Sequence, residues 1–235
     1  VLFAIESGSR AWGFESSDSN YDVRFVYRHP SDWYESIDVE HRRDVIEYPI
    51  TDEIDLSGWD VRKALKLLAK SNPAIIEWSK SPIIYETDDQ LLPELRFWIP
   101  SIYSPISGYN HYRHMAKANL RNYLQKDKVK IKKYLYVMRG LLAARFIVAN
   151  SIPPPLPIED LFDYFDSSEQ NTLDALINLL EKKRTISELG DGNHIQELDD
   201  FIISEFKMDY VFEQKQPLVD IMHAMNSIFK HTLVR

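Results

Sequence analysis

The sequence predicts an α+β protein: a small mixed-sheet α/β unit over residues 1–104, followed by an all-helical domain over residues 105–235. Three observations carry that expectation. Short apolar runs separated by glycine and polar turns fill the first hundred residues. Beyond about Pro105 the apolar residues recur at helical spacing with few breakers. Nine of the 28 Lys/Arg residues but only one of the 36 Asp/Glu residues lie between Lys117 and Arg145, so one basic segment sits in an otherwise acidic chain of net charge -8.

The first elements are organised around Glu6 to Tyr27, E-S-G-S-R-A-W-G-F-E-S-S-D-S-N-Y-D-V-R-F-V-Y. Apolar Val1 to Ile5 leads into Gly8-Ser9, and a helix-compatible segment ends near Gly13. A polar turn then carries Asp18, Asn20 and Asp22, and Val23 to Tyr27 resumes an extended pattern. The order is strand, glycine turn, short helix, strand, with an acid where the second strand begins. Backbone N–H groups freed at such a turn form an anion cradle, and a carboxylate on the adjacent strand end suits a divalent cation beside it. Phosphate chemistry is the implied use.

Further along, Ser31 to Ile37 reads as a short helix capped by Ser31. Asp44 to Ile50 and Glu53 to Ser57 read as a hairpin around Thr51-Asp52. Asp60 is placed to cap a helix from Val61 to Lys70, whose apolar residues Val61, Ala64, Leu65, Leu67 and Leu68 share one face. Asn72-Pro73 ends that helix, because the residue before proline avoids helical dihedrals, and Pro73 suits the first turn of the next helix, which runs through Trp78. Helices are then expected over Tyr109–Gln125, Val129–Asn150, Ser168–Leu189, His194–Phe206 and Pro217–Leu233, with Pro153-Pro154-Pro155 and Pro157 forming a stiff connector.

Composition excludes several chemistries. With no cysteine there is no disulfide, thiolate metal site or thiol nucleophile, which suits a cytoplasmic protein. No apolar run approaches the roughly 20 residues that span a bilayer, so no membrane is expected as partner. The histidines lack zinc-site spacing such as H-E-x-x-H. The strand-like opening at Val1 leads us to expect a preceding segment. The basic stretch reads either as a surface for a polyanion or triphosphate, or as a solvated helix face.

The order G-S, about a dozen residues, then S-x-x-D at a strand start resembles the polymerase-beta-like nucleotidyltransferase superfamily. Within it, E-S-G-S-R-A-W-G-F, Y-D-V-R-F-V-Y, R-D-V-I-E-Y-P-I, G-W-D-V-R-K-A-L-K-L-L-A-K-S-N-P and K-K-Y-L-Y-V-M-R resemble the predicted nucleotidyltransferases of the RNA-repair-associated (RlaP) type. The resemblance covers Val1 to about Pro155. It implies a palm-like domain in which three strand-borne acids hold two Mg²⁺ ions and an acceptor attacks the α-phosphate of an NTP such as ATP. Such chemistry works by positioning and charge and needs no protein nucleophile.

Carried onto this chain, the resemblance implies that Gly8 and Ser9 bind the terminal phosphates, with Arg10 close by. The paired-acid motif falls on Ser19-Asn20-Tyr21-Asp22. Asp22 matches the second acid, whereas the first is Asn20, whose amide oxygen can ligate Mg²⁺ without bringing charge. Asp18 is a candidate to compensate. The third acid is either Asp55, in the extended segment, or Asp60, in the more distinctive G-W-D-V-R-K motif, which favours Asp60. An ordinary N-cap is the other reading of Asp60.

In the helical domain Lys132, Tyr136 and Arg139 fall at i, i+4 and i+7 and so share a helix face; with Lys133 they suit a base stacked on tyrosine and phosphates held by cations. The plainer reading is a packed tyrosine among solvated cations. Two functions follow. One is an enzyme moving a nucleotidyl group to an RNA end, a protein or a small molecule. The other is a catalytically weak nucleotide-binding or antitoxin-like module, because Asn20 replaces an acid. Acceptor, preferred base and oligomeric state are not legible.

Overall fold

A computed structural model describes residues 1–51, 53–186, 189–212 and 220–234. Two compact units emerge from it. The first holds β1 (Phe3–Glu6), α1 (Gly8–Ala11), β2 (Tyr21–Tyr27), α2 (Ser31–Tyr34), β3 (Val45–Glu47), β4 (Ile54–Asp60), α3 (Val61–Ala69), α4 (Pro73–Lys80), β5 (Ile84–Thr87) and α5 (Leu91–Ile102). Its five-stranded sheet has the order β3-β4-β2-β1-β5. Only β2 and β4 run parallel; the other neighbours are antiparallel, so the sheet is mixed and the fold is α+β.

The amphipathic α3 buries Val61, Ala64, Leu65 and Leu68 against Phe3, Ile5 and Val26 of the sheet. Asp60 caps it as expected, accepting the Arg62 N–H at 2.8 Å, and Asn72 caps α4 with Pro73 in its first turn. Ser31 does not cap α2: Pro30 holds that position, and the Ser31 hydroxyl donates to the Leu233 carbonyl instead. Neither β5 nor α5 was expected. The strand is four residues long, and Pro93 and Pro100 mask the helical pattern of α5.

The second unit comprises Trp12–Ser19 and the residues from Ser104 to 212. Its helices are α6 (Pro105–Tyr123), α7 (Lys132–Asn150), α8 (Gln170–Thr185) and α9 (Gln196–Lys207). The buried face of α7 supplies Leu135, Val137, Met138, Leu141, Leu142, Ala143 and Ile147, a width of apolar surface that marks the central helix of a bundle. The expected helix from Val129 begins later than predicted. Val129–Lys130 (β6) pairs with Asp191–Gly192 (β7), where β-branched Val129 is fully buried.

The expected division at 104/105 needs two corrections. Helix α10 (Ile221–Leu233), predicted in the helical domain from Pro217, packs on α3 and α5 of the first unit through Ala224, Met225 and Ile228. Pro217 itself lies outside the described residues, as does Asp52 of the expected turn. Conversely, Trp12–Ser19 joins the helical unit, because Phe14 is buried in that core and the Trp12 carbonyl accepts the Ile158 N–H at 2.9 Å. Burial of apolar side chains, not sequence order, decides both memberships.

The β6–β7 ribbon is held by His194. Its Nδ1 lies 2.7 Å from Asp199 Oδ2 and its Nε2 lies 2.9 Å from the Lys126 carbonyl. Both partners only accept, so the doubly protonated ring satisfies both. The Lys126 carbonyl first, then Asp199, raises the His194 pKa above its ordinary value. A raised folded-state pKa gives stability that is present below the unfolded value and is lost as pH rises through the folded one. We expect the stability difference between this protein and His194→Gln to shrink as pH rises from about 6 to about 9. Urea melts across that range check it, and a constant difference would refute the assignment.

Candidate active site

The site is built where β1 turns into α1 beside the start of β2. The Ser7 N–H donates to the Asp22 carbonyl at 2.9 Å, which ties the turn to that strand. Gly8 adopts φ +62°, a conformation that glycine takes at little cost. A Cβ at Gly8 would overlap the Asp22 carboxylate, so only a residue without a side chain allows the turn to lie this close. Ser9 follows within α1 and is buried.

Asp22 and Asp55 are directly paired across the parallel β2–β4 register and therefore share a face of the sheet. Each side chain is 29% exposed. Arg24, two residues along β2 and on the same face, lies between them. Its Nη2 is 2.7 Å from Asp55 Oδ2 and 3.5 Å from Asp22 Oδ1, and its Nη1 donates to the carbonyls of Asp55 and Val23 at 2.8 and 3.1 Å. Burial raises the Asp22 pKa; Arg24 opposes the rise, and Asp55 and Glu6 add to it.

Glu6 is fully buried behind this pair. Its Oε1 accepts the Asp22 N–H at 2.9 Å, its Oε2 accepts the Tyr85 hydroxyl, and its backbone carbonyl takes the Ser81 hydroxyl at 2.6 Å. Asn20 is exposed at the entry to β2, where its carbonyl accepts Arg10 Nε at 3.4 Å, and the Arg10 guanidinium lies 3.9 Å from the centre of the Tyr21 ring. Sequence reasoning passed over Glu6, Arg24 and Tyr85. A signal for the first two was present in E-S-G-S and Y-D-V-R, where a charge abuts each singled-out motif.

Asp60, the preferred candidate for third acid, does not join Asp22 and Asp55. Asp60 pairs with Tyr27, five residues beyond the Asp22–Asp55 pair, which along a strand is about 17 Å. It is 1% exposed, and its second oxygen accepts the Tyr34 hydroxyl at 2.6 Å while the first caps α3. Burial raises its pKa. Asp60→Ala removes the cap and strands the Tyr34 hydroxyl, so we expect about 1–3 kcal/mol lower stability, with nucleotide-dependent activity retained in the folded fraction. A denaturant melt alongside an activity assay separates the two effects.

Within the helical unit the expected face of α7 is divided. Arg139 has no exposed surface: its Nε donates to the Leu156 carbonyl at 3.1 Å and its guanidinium lies 4.3 Å from the centre of the Trp12 ring. It is a core arginine and not part of a solvent-facing stripe. Lys132 and Tyr136 are partly exposed, and the Tyr136 ring packs edge-on against Trp12 and Phe14. Lys133 Nζ lies 4.7 Å from the Tyr123 ring centre and 4.3 Å from that of Tyr136; burial, then Lys132 and Lys130, lowers its pKa.

A model of the family described as "RlaP: RNA repair pathway DNA polymerase beta family" matches residues 1–229. The chain belongs to this family. The RlaP match runs through both compact units and takes in the Gly8 turn, Asp22, Asp55 and the basic segment. The family is one of polymerase-beta-like nucleotidyltransferases. The chain is also 40% identical over 235 residues to the uncharacterized protein YcgL of Bacillus subtilis (strain 168), covering 99% of this chain and 89% of that protein. No solved structure matches.

The donor set answers the expectation of a three-acid metal site. Asp22 and Asp55 present hard carboxylate oxygens on one face, which suit Mg²⁺. Among the described residues no group of three His, Cys, Asp or Glu converges as metal ligands. The residues present therefore fit a cation held by two carboxylates, with neutral Asn20 where the resemblance expects the first acid and Arg24 lying between the two carboxylates. Among the described residues no helix is long and apolar enough to cross a membrane.

Proposed function

We propose that this chain transfers a nucleoside monophosphate from an NTP to an acceptor, with an RNA end as the acceptor class. The observation that carries this reading is the Gly8 turn packed against the Asp22 carboxylate, with Asp55 paired beside it. Family membership supports the nucleotide, and the exposed Lys117, Arg121, Lys126, Lys128 and Lys130 of the basic segment support the RNA.

In this reading the Gly8-Ser9 backbone and the Ser9 hydroxyl take the terminal phosphates, and Arg10 supplies positive charge at their edge. Asp22 and Asp55 would hold Mg²⁺, which would polarise the α-phosphate and neutralise charge developing on the departing oxygen. Glu6 fixes the backbone of Asp22, so that the carboxylate is presented without reorganisation. The acceptor oxygen forms a bond to the α-phosphorus, the bond to the β-phosphate oxygen breaks, pyrophosphate leaves and the acceptor proton passes to solvent.

A second reading is favoured by Asn20 and by the Arg24 bridge: a nucleotide-binding module with little turnover. Pyrophosphate release from an NTP with Mg²⁺ and an RNA oligonucleotide separates the two. Release that requires Mg²⁺ supports the enzyme, whereas nucleotide binding with no release supports the module. Asn20→Asp adds a charged ligand and is expected to raise turnover about tenfold or more; an unchanged rate would remove Asn20 from the metal site.

A further inference from the structure

Resting on the nucleotidyl-transfer reading, we infer that Arg24 is a built-in cation that replaces one metal ion, so that Asp22 and Asp55 take one divalent ion rather than two. The geometry is specific. Arg24 meets four acceptors, two of them backbone carbonyls. A guanidinium cannot lose its proton in a protein, so the charge is permanent. Its side chain is 19% exposed, and bonds to the carbonyls of Val23 and Asp55 hold it on the same face as the acids.

Charge and ligand count lead to the same conclusion. Asp22, Asp55 and Arg24 together carry one net negative charge and neutral Asn20 adds none, while the Glu6 oxygens behind them are taken by the Asp22 N–H and the Tyr85 hydroxyl. Arg24 engages Asp55 Oδ2 at 2.7 Å and, more loosely, Asp22 Oδ1 at 3.5 Å, which leaves Asp55 Oδ1 and Asp22 Oδ2 for a metal. One divalent ion matches that set. A second would have to share the same oxygens beside a fixed positive charge a few ångströms away, and repulsion at that range is large in a partly desolvated site. Arg24 instead supplies the second positive charge from a fixed position, which costs no ion binding.

The test is electron paramagnetic resonance of Mn²⁺ with the intact protein in excess over a non-hydrolysable NTP analogue. Two ions about 3.5–4 Å apart give an exchange-coupled spectrum, whereas a single ion gives isolated Mn²⁺ lines. We expect isolated lines for this protein, for Arg24→Lys and for Asn20→Asp, and a coupled pair for the N20D/R24M double variant. R24M alone should bind its single ion about tenfold more tightly. A coupled pair with Arg24 in place, in this protein or in N20D, overturns the inference. So does a well-folded N20D/R24M variant that still holds one ion. A spectrum identical to that of the Mn²⁺–nucleotide complex without protein overturns the nucleotide-binding reading itself, which the other outcomes leave standing.

Discussion

Asp22→Asn is expected to lower turnover about 10³-fold while leaving the melting temperature equal or higher. The carboxylate sits against the Gly8 turn, beside Asp55 and in front of buried Glu6, so the substitution removes the proposed metal ligand from the centre of the arrangement. Burial, with Asp55 and Glu6 adding, raises its pKa, so the fold favours the neutral carboxyl. A carboxylate whose folded-state pKa is raised destabilises the protein as pH climbs through that pKa, because the unfolded chain accommodates the charge more readily. The neutral amide avoids that penalty at neutral pH. For the same reason turnover of the unmodified protein should fall as pH drops through the raised pKa of Asp22. Thermal melts and pyrophosphate release measured together check both halves. A turnover within a few-fold of the unmodified protein would remove Asp22 from the chemistry.

Gly8→Ala should be nearly as damaging to activity and, unlike the change at Asp22, should also destabilise. Its Cβ would overlap the Asp22 carboxylate, and a φ of +62° costs a residue with a side chain about 1–2 kcal/mol. The turn and the strand end must separate to accept the methyl group. We expect about 1–3 kcal/mol lower stability and about 10²-fold lower turnover, because the Gly8 turn and the Asp22 carboxylate, proposed to hold phosphates and metal, lose their spacing. Denaturant melts and Mn²⁺ affinity give the two readouts. Full Mn²⁺ affinity in a folded Gly8→Ala variant would show that the contact between turn and acid has no functional consequence.

Several parts of the fold were legible because their signals are local. The Gly8-Ser9 turn, the extended pattern of Val23 to Tyr27, the cap at Asp60 and the stop at Asn72-Pro73 each depend on residues within a few positions of one another. Helix α5 was hidden by its prolines, and β5 by its length. The choice between Asp55 and Asp60 was not local. Both stand on one strand, and only the register Asp22↔Asp55 shows which of them stands beside Asp22. A strand shifted by one residue would turn Asp55 to the other face.

The helical segment shows the same limit. Spacing put Lys132, Tyr136 and Arg139 on one face, yet neighbouring elements divide that face: Trp12 and the Leu156 carbonyl enclose Arg139. By itself the sequence determined the residue types, the glycine turn, the order of strand and helix, and the family pattern, since dihedral preference and periodicity act along the chain. Only the tertiary structure decided that Asp55 and not Asp60 stands beside Asp22, that Arg24 lies between the acids, and that α10 completes the first unit. Those outcomes depend on strand register and on the burial of faces brought together from distant parts of the chain.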